Sequence, residues 1–298
     1  MTSRLPIETP AKVNLHLRVF PPTADGFHPL RSWFRTVDLY DSLMFREALS
    51  LPTPGRSRLL IESSDPSLPQ GPLSAQNLAA KGWNAAGDAT GDGAIDASLT
   101  ISKTIPAGGG LGGGSSNAAA ALVAERRMRE QLGMDDLPSD DTLRDLAKSV
   151  GSDVPFFLEH HLRGMNDAVV TGRGEVVRPF AARRRHVILL ILPGIHVSTP
   201  QVFKAFDALP PPPDDGDPDF QAWSTLPADG LAPLLRNDLE AAAFKVAPPL
   251  GPLRDDCERR LERPVRMSGS GSSLFALYDD ADEAAAAARR LELPTRVA

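Results

Sequence analysis

Apolar and polar positions alternate from Val13 to Val19, with Val13, Leu15, Leu17 and Val19 on one face and Asn14, His16 and Arg18 on the other. That period of two predicts a half-buried strand carrying Lys12 and Asn14 on its polar side. A turn segment follows, Pro21-Pro22-Thr23-Ala24-Asp25-Gly26, and then an aromatic and aliphatic stretch from Trp33 to Phe45. The stretch is interrupted by Asp41-Ser42, which predicts a strand pair rather than one strand. Residues 52–72 read as a loop, Asn77 to Ala86 as a short helix, and Ile95, Ala97, Leu99 and Ile101 as a further alternating strand ending near Lys103.

Beyond a run of glycines, Ser115-Ser116-Asn117 offers helix-capping side chains ahead of an Ala-rich helix from Ala118 to Leu132 that stops at Gly133. A second helix begins near Ser139, places Leu143, Leu146, Ala147 and Val150 at helical spacing, and ends at Gly151. Val187 to Leu192, closed by Pro193-Gly194, reads as a strand buried on both faces and as the start of a second domain. Pro210 to Pro213 with Asp214-Asp215-Gly216-Asp217 reads as a stiff, solvated insertion. The remainder predicts helices at Leu239–Val246 and Asp255–Glu262, a Gly/Ser loop from Ser268 to Ser273, a strand from Leu274 to Tyr278 and a last helix from Asp282 to Leu291. Strands and helices mix without strict alternation, so the expected class is α+β.

Composition narrows the ligand chemistry. The 298 residues suffice for about two domains. With 32 basic against 38 acidic residues the net charge is -6, so no global basic field collects nucleic acid and any anionic ligand must be held locally. The one cysteine, Cys257, has no disulfide partner, and no Cys/His cluster has zinc-site spacing. The longest strongly apolar stretch, Val187–Leu192, is far below a membrane span, and the N-terminus has no signal-peptide core, so a cytoplasmic location is expected. Only Lys12, Lys81, Lys103, Lys148, Lys204 and Lys245 are lysines in a chain that otherwise uses arginine, which makes each of them a candidate for a task that a guanidinium cannot perform.

The segment Pro106-Ala107-Gly108-Gly109-Gly110-Leu111-Gly112-Gly113-Gly114-Ser115-Ser116 holds six glycines in seven residues between a strand and a helix. Such a run is costly in backbone entropy unless something requires bare backbone. A strand feeding a glycine turn that opens a helix directs several N–H groups and the positive end of the helix dipole at one small volume, which suits phosphate. Gly114 before Ser115 excludes a Walker A loop, and no short βαβ unit with a following ribose-binding acid supports a dinucleotide fingerprint.

This segment resembles the phosphate-binding loop of the GHMP kinases, a family of small-molecule kinases, and its form IPAGGGLGGGSSNAAA is similar to the branch whose acceptor is a cytidylated methylerythritol. Four further segments resemble family motifs in order: Pro10-Ala11-Lys12-Val13-Asn14-Leu15, Asp25-Gly26-Phe27-His28, Gly151-Ser152-Asp153-Val154-Pro155 and Met267-Ser268-Gly269-Ser270-Gly271-Ser272-Ser273. Tyr is commoner at position 27; Phe keeps a stacking face without the hydroxyl. Met165-Asn166-Asp167 and the Pro/Asp insertion depart from the family's pattern. The resemblance implies a two-domain fold, an N-terminal ribosomal-protein-S5-domain-2-like nucleotide domain over residues 1–180 and a C-terminal ferredoxin-like α/β-plait domain over 181–298.

It also implies ATP and Mg²⁺ as cofactors and a small-molecule acceptor, with neither nucleic acid nor membrane as partner and a monomer or homodimer as the working form. Asp153, which alone reads as a turn or cap aspartate, is implied to be the general base, and Lys12 to support it beside the acceptor hydroxyl. Pro106 to Ser116, Lys103 and Asn77 are implied to bind ATP, and Asn14, Phe27, His28, Phe34 and Phe203 the substrate; Ser115 and Ser116 are both open as metal contacts. Alternatives are a GHMP kinase of the homoserine or mevalonate type, and a nucleotide-binding regulator without chemistry.

Overall fold

A computed structural model describes residues 3–48, 59–63, 77–91, 93–213 and 216–298. The chain folds into two compact units, one comprising Met1–Ala11, Tyr40–Ile105 and Gly112–Met165, the other Lys12–Leu39, Pro106–Leu111 and Asn166–Ala298. Strands β1 (Arg4–Val19) and β2 (Leu30–Glu47) pair with each other and run through both.

In the first unit, β3 (Leu59–Ser63) lies parallel to β4 (Ala97–Ser102), which pairs antiparallel with the end of β2 in the register Ser42↔Ser102 to Glu47↔Ala97. Helices α1 (Leu78–Asp88), α2 (Gly113–Gln131), α3 (Asp140–Val150) and α4 (Val154–Arg163) complete it. The core joins Leu5, Ile7, Leu43 and Phe45 of the strands to Trp83 of α1 and Met128 of α2, with the Phe45 and Trp83 rings stacked at 5.3 Å. The segment 52–72, expected as a loop, contains β3; the rest of it lies outside the described residues.

The break expected at Asp41-Ser42 does not occur. β2 continues through Asp41, which is fully buried and accepts hydrogen bonds from the Thr104 and Ile105 amides at 2.8 and 2.9 Å and from the Lys103 ammonium. A carboxylate with that many fixed donors is stable inside a sheet.

In the second unit, the start of β2 pairs antiparallel with β5 (Asp167–Gly172), and β5 with β6 (Val176–Pro179). A second sheet contains β7 (Val187–Ile191), β8 (Arg266–Met267), β9 (Leu274–Tyr278) and β10 (Thr295–Val297) in the order β10-β7-β9-β8, all antiparallel. Helices α5 (Thr199–Asp207), α6 (Phe220–Trp223), α7 (Ala228–Leu231), α8 (Glu240–Val246) and α9 (Leu250–Leu261) fall between β7 and β8, and α10 (Ala281–Ala288) between β9 and β10. Fourth, first, third, second with helical crossovers is the ferredoxin-like arrangement that the resemblance implied. Leu189, Ile191, Phe206, Leu250, Met267 and Leu274 build its core.

β1 was expected to be half-buried, yet its polar side is covered too. Asn14, His16 and Arg18 are 3, 3 and 7% exposed. His16 packs edge-on against Phe220 and Trp223 at 5.5 and 5.3 Å, and its Nδ1 accepts from the Arg236 amide at 3.3 Å. The exposed Pro210–Pro213 run is tethered at its far end, where Arg236 donates to the Pro213 carbonyl at 3.1 Å, Arg18 donates to that of Gly216, and Arg31 pairs with Asp217 at 2.9 Å. Asp214 and Asp215 lie outside the described residues. Among the described residues no helix is long and apolar enough to cross a membrane.

Burial, and secondarily the Arg236 cation, lowers the His16 pKa to about 4. The native chain therefore takes up this proton later than the unfolded chain, so stability is complete above pH ~6.5 and falls as pH drops toward 4. Between pH 7 and pH 5 the loss from this site is on the order of 2 kcal/mol. Urea unfolding of wild type and His16→Leu at both pH values should show the smaller acid loss in the variant; equal losses would contradict the assignment.

Candidate active site

In the first unit, Gly112 adopts the left-handed conformation, φ 72°, and turns the chain into α2, whose first intrahelical bond runs from the Ser116 amide to the Gly112 carbonyl at 2.9 Å. The amides of Gly113, Gly114 and Ser115 precede that ladder and share the positive end of the helix dipole. The helix thus starts earlier than Ser115-Ser116-Asn117 suggested, because the glycine itself makes the turn and no side-chain cap is used. Ser116 is fully buried, donating to the Pro10 carbonyl at 2.7 Å and bonding Thr9 Oγ1, so its hydroxyl belongs to the framework. Gly114 differs from its neighbours: it is exposed, and a Cβ built there would meet only Leu78 at 3.6 Å, an ordinary contact. Among the described residues nothing requires this position to be bare.

In the second unit, Pro106–Leu111 is clasped through its carbonyls. Gly109 accepts from the Ser273 amide at 3.1 Å, Gly110 from the Ser268 hydroxyl at 2.9 Å, and Leu111 from the Lys12 amide at 2.9 Å. Gly110 has φ 77°, and a Cβ on it would lie 2.1 Å from the Ser268 carbonyl, so only glycine fits. Beside the clasp is a cleft of about 150 Å³ lined by Pro106, Ala107, Gly109, Ile195, His196 and Ser273. His196, exposed at this cleft, was not among the expected residues, and a histidine after Pro-Gly-Ile gives no sequence signal.

Lys12 and Asn14 lie together as expected. Lys12 is 4% exposed; its Nζ donates to Asn14 Oδ1 at 2.5 Å and sits 4.4 Å from the centroid of the buried Phe34 ring. Asn14 in turn donates from Nδ2 to Ser32 Oγ at 3.0 Å and from its backbone amide to Ser268 Oγ at 3.1 Å.

The Asp25-Gly26-Phe27-His28 segment forms a tight turn. The Thr23 amide donates to the Phe27 carbonyl at 2.9 Å, and Asp25 accepts from the Thr23 hydroxyl at 2.6 Å and the Phe27 amide at 3.3 Å. These bonds, the Thr23 hydroxyl first, lower the Asp25 pKa. Phe27 is held out to solvent, 53% exposed, with the Arg173 guanidinium 3.9 Å from its ring centroid and paired to Asp25. Arg173, within Gly172-Arg173-Gly174-Glu175, thereby supports the turn. His28 is tied down at both nitrogens, Nδ1 to the Phe20 carbonyl and Nε2 to Asp207, each at 2.8 Å, and packs 5.6 Å from Phe203.

Of the other expected ATP contacts, Asn77 caps α1, its Oδ1 accepting from the Ala79 amide at 2.9 Å, and Lys103 is paired with Asp41. Asp41 was missed because an acid within an apolar run reads as a break. Asp153 stands immediately before α4 and makes no side-chain cap hydrogen bond to it. No group of three or more His, Cys, Asp or Glu among the described residues could hold a metal ion.

Comparison with known proteins agrees with this arrangement. The family model for the GHMP kinases N terminal domain matches residues 77–160, and that for the GHMP kinases C terminal matches residues 227–294. A 4-diphosphocytidyl-2-C-methyl-D-erythritol kinase from Nocardioides sp. is 37% identical over 93% of this chain and 90% of its own. The Thermus thermophilus protein of the same name is 35% identical over 95% and 90%. A crystal structure of a 4-(cytidine 5'-diphospho)-2C-methyl-D-erythritol kinase superposes with a TM-score of 0.74 at 33% identity, covering 98% of each chain. The homoserine kinase of Cytophaga hutchinsonii, at 16% identity and a TM-score of 0.67 over 100% of this chain and 94% of its own, shares the fold. With the glycine turn into α2 and the clasped glycines lying within the matched residues, the chain belongs to the GHMP kinase family.

Proposed function

We propose that the chain transfers the γ-phosphoryl group of ATP to the 2-hydroxyl of 4-diphosphocytidyl-2-C-methyl-D-erythritol, in the non-mevalonate route to isoprenoid precursors. The observation that carries the choice of acceptor within the family is the Asp25–His28 turn, which holds an aromatic face in solvent where a pyrimidine ring can stack. The kinases it is most usefully compared with, at 32–37% identity, bear that acceptor in their names. The reading places the enzyme in the cytoplasm.

The acceptor oxygen bonds to the γ-phosphorus as the bond to the β-phosphate bridging oxygen breaks and ADP leaves; the hydroxyl proton goes to the Asp153 carboxylate. A tertiary hydroxyl is a crowded nucleophile, so orientation contributes as much as activation. Lys12, with its ammonium over the Phe34 ring and bonded to Asn14, supplies a fixed positive charge for the charge that develops on the transferred group. Backbone N–H groups of Gly108 to Ser115 take the phosphates. Magnesium, held by a protein hydroxyl beside the phosphates, would supply charge neutralisation there. Ser115, half-buried in the first turn of α2, has a suitable hydroxyl, whereas that of Ser116 is spent on Pro10.

A coupled ADP-release assay should give turnover with the cytidylated methylerythritol and none with homoserine or mevalonate; the reverse would displace the reading to another branch of the family. In the same assay Asp153→Ala and Lys12→Ala should each reduce kcat by about 10²- to 10⁴-fold with thermal melting unchanged; near-normal turnover of either would remove it from the mechanism. The two glycines separate binding from folding. Gly114→Ala should match or exceed wild-type stability, since Ala favours helix by about 0.8–1 kcal/mol, while raising KM for ATP. Gly110→Ala should instead lower the melting temperature, since the added methyl has no room against Ser268.

A further inference from the structure

Ser32 lies on β2, fully buried, and belongs to none of the motifs that carry the family resemblance. Its hydroxyl has a single proton, which it donates to the His16 carbonyl at 2.6 Å. Toward Asn14 it can therefore only accept, which it does from Nδ2 at 3.0 Å. That fixes the amide: with Nδ2 on Ser32, Asn14 must turn Oδ1 toward the Lys12 ammonium, 2.5 Å away. Reversed, the amide would set its NH₂ against an ammonium that has no lone pair to accept with. The backbone on either side is pinned as well, since the Asn14 amide donates to Ser268 Oγ and the Lys12 amide to the Leu111 carbonyl.

We propose that Ser32 is a positioning residue for Lys12, acting through Asn14 in the order His16 carbonyl, Ser32 hydroxyl, Asn14 amide, Lys12 ammonium. The hydroxyl touches no reacting atom; its work is to give Asn14 one orientation and so give Lys12 one location above Phe34. The proposal rests on the kinase reading for its effect on turnover, but the relay itself can be read without any substrate.

Two measurements test it. In protein labelled with ¹⁵N at lysine Nζ, only six lysines contribute, and the Lys12 resonance is assigned by its loss in Lys12→Met. Ser32→Ala should shift that resonance and speed its proton exchange, leaving the other five in place, and Ser32→Thr, which retains the hydroxyl, should return it toward its original position. In the kinase assay Ser32→Ala should lower kcat by about 10- to 100-fold while KM for ATP and acceptor stays within about twofold, and Ser32→Thr should recover most of the loss. An unmoved Lys12 resonance in a folded Ser32→Ala protein overturns the relay even if turnover falls, since a general loss of packing would then explain the defect. Turnover within about twofold of wild type despite a shifted resonance overturns the catalytic role. If wild type fails to phosphorylate the cytidylated acceptor, the kinase reading fails, and the resonance alone decides whether Ser32 orients Lys12.

Discussion

One hydroxyl, that of Ser268, holds together parts of the second unit that are far apart in sequence. It donates to the Gly110 carbonyl and accepts from the Asn14 amide, while the carbonyl of the same residue passes so close to Gly110 that a methyl group would strike it. The C-terminal Gly/Ser loop, the glycine segment and the strand bearing Lys12 therefore have little freedom to move independently. This is why the glycines are needed in such number: the first of them serve contact with protein, whereas a Cβ at Gly114 would make only an ordinary contact with Leu78 among the described residues. Pre-organised N–H groups stabilise charge because they need no rearrangement when the charge appears.

The same arrangement resolves the problem posed by an acidic chain. With a net charge of -6 the surface repels a nucleotide at long range, so attraction must come from dipoles and from a few cations at close range. Two of the six lysines are built into the interior for different ends. Lys103 pairs with Asp41 and secures the turn after β4, whereas Lys12 donates to the Asn14 amide oxygen and lies over the Phe34 ring. Three arginines take outer tasks, Arg173 backing Phe27 and Arg31 and Arg236 holding the Pro/Asp insertion, while Arg129 and Arg35 are buried against carboxylates.

Where structure was set by neighbours in sequence, it could be read from sequence. α3 begins after Ser139 and ends at Gly151 as its capping residues indicate, and β4, β7 and β9 follow their apolar runs. Readings failed where a distant partner supplied what a local rule assumed was missing. Asp41 looked like a break because its donors at 103–105 are on another strand's end, and the polar side of β1 looked solvent-facing because Phe220 and Trp223, which cover His16, arrive two hundred residues later. The glycine segment and the Lys12–Asn14 neighbourhood follow from motif order, whereas the contacts of Ser32 and the place of His196 do not: they come from which atom each side chain faces, and no local pattern encodes that.

The interleaving of the two units along the chain bears on how the molecule is made. Residues 12–39 emerge before most of their partners during synthesis, since the unit they complete also contains residues 106–111 and those from Asn166 onward, β10 among them. Folding one domain after another as the ribosome proceeds is therefore blocked, and the apolar side chains of β1 and β2 must wait, exposed, for partners still being translated. Such a chain is most vulnerable to aggregation before release rather than after it. The requirement is a direct cost of running the same two strands through both units.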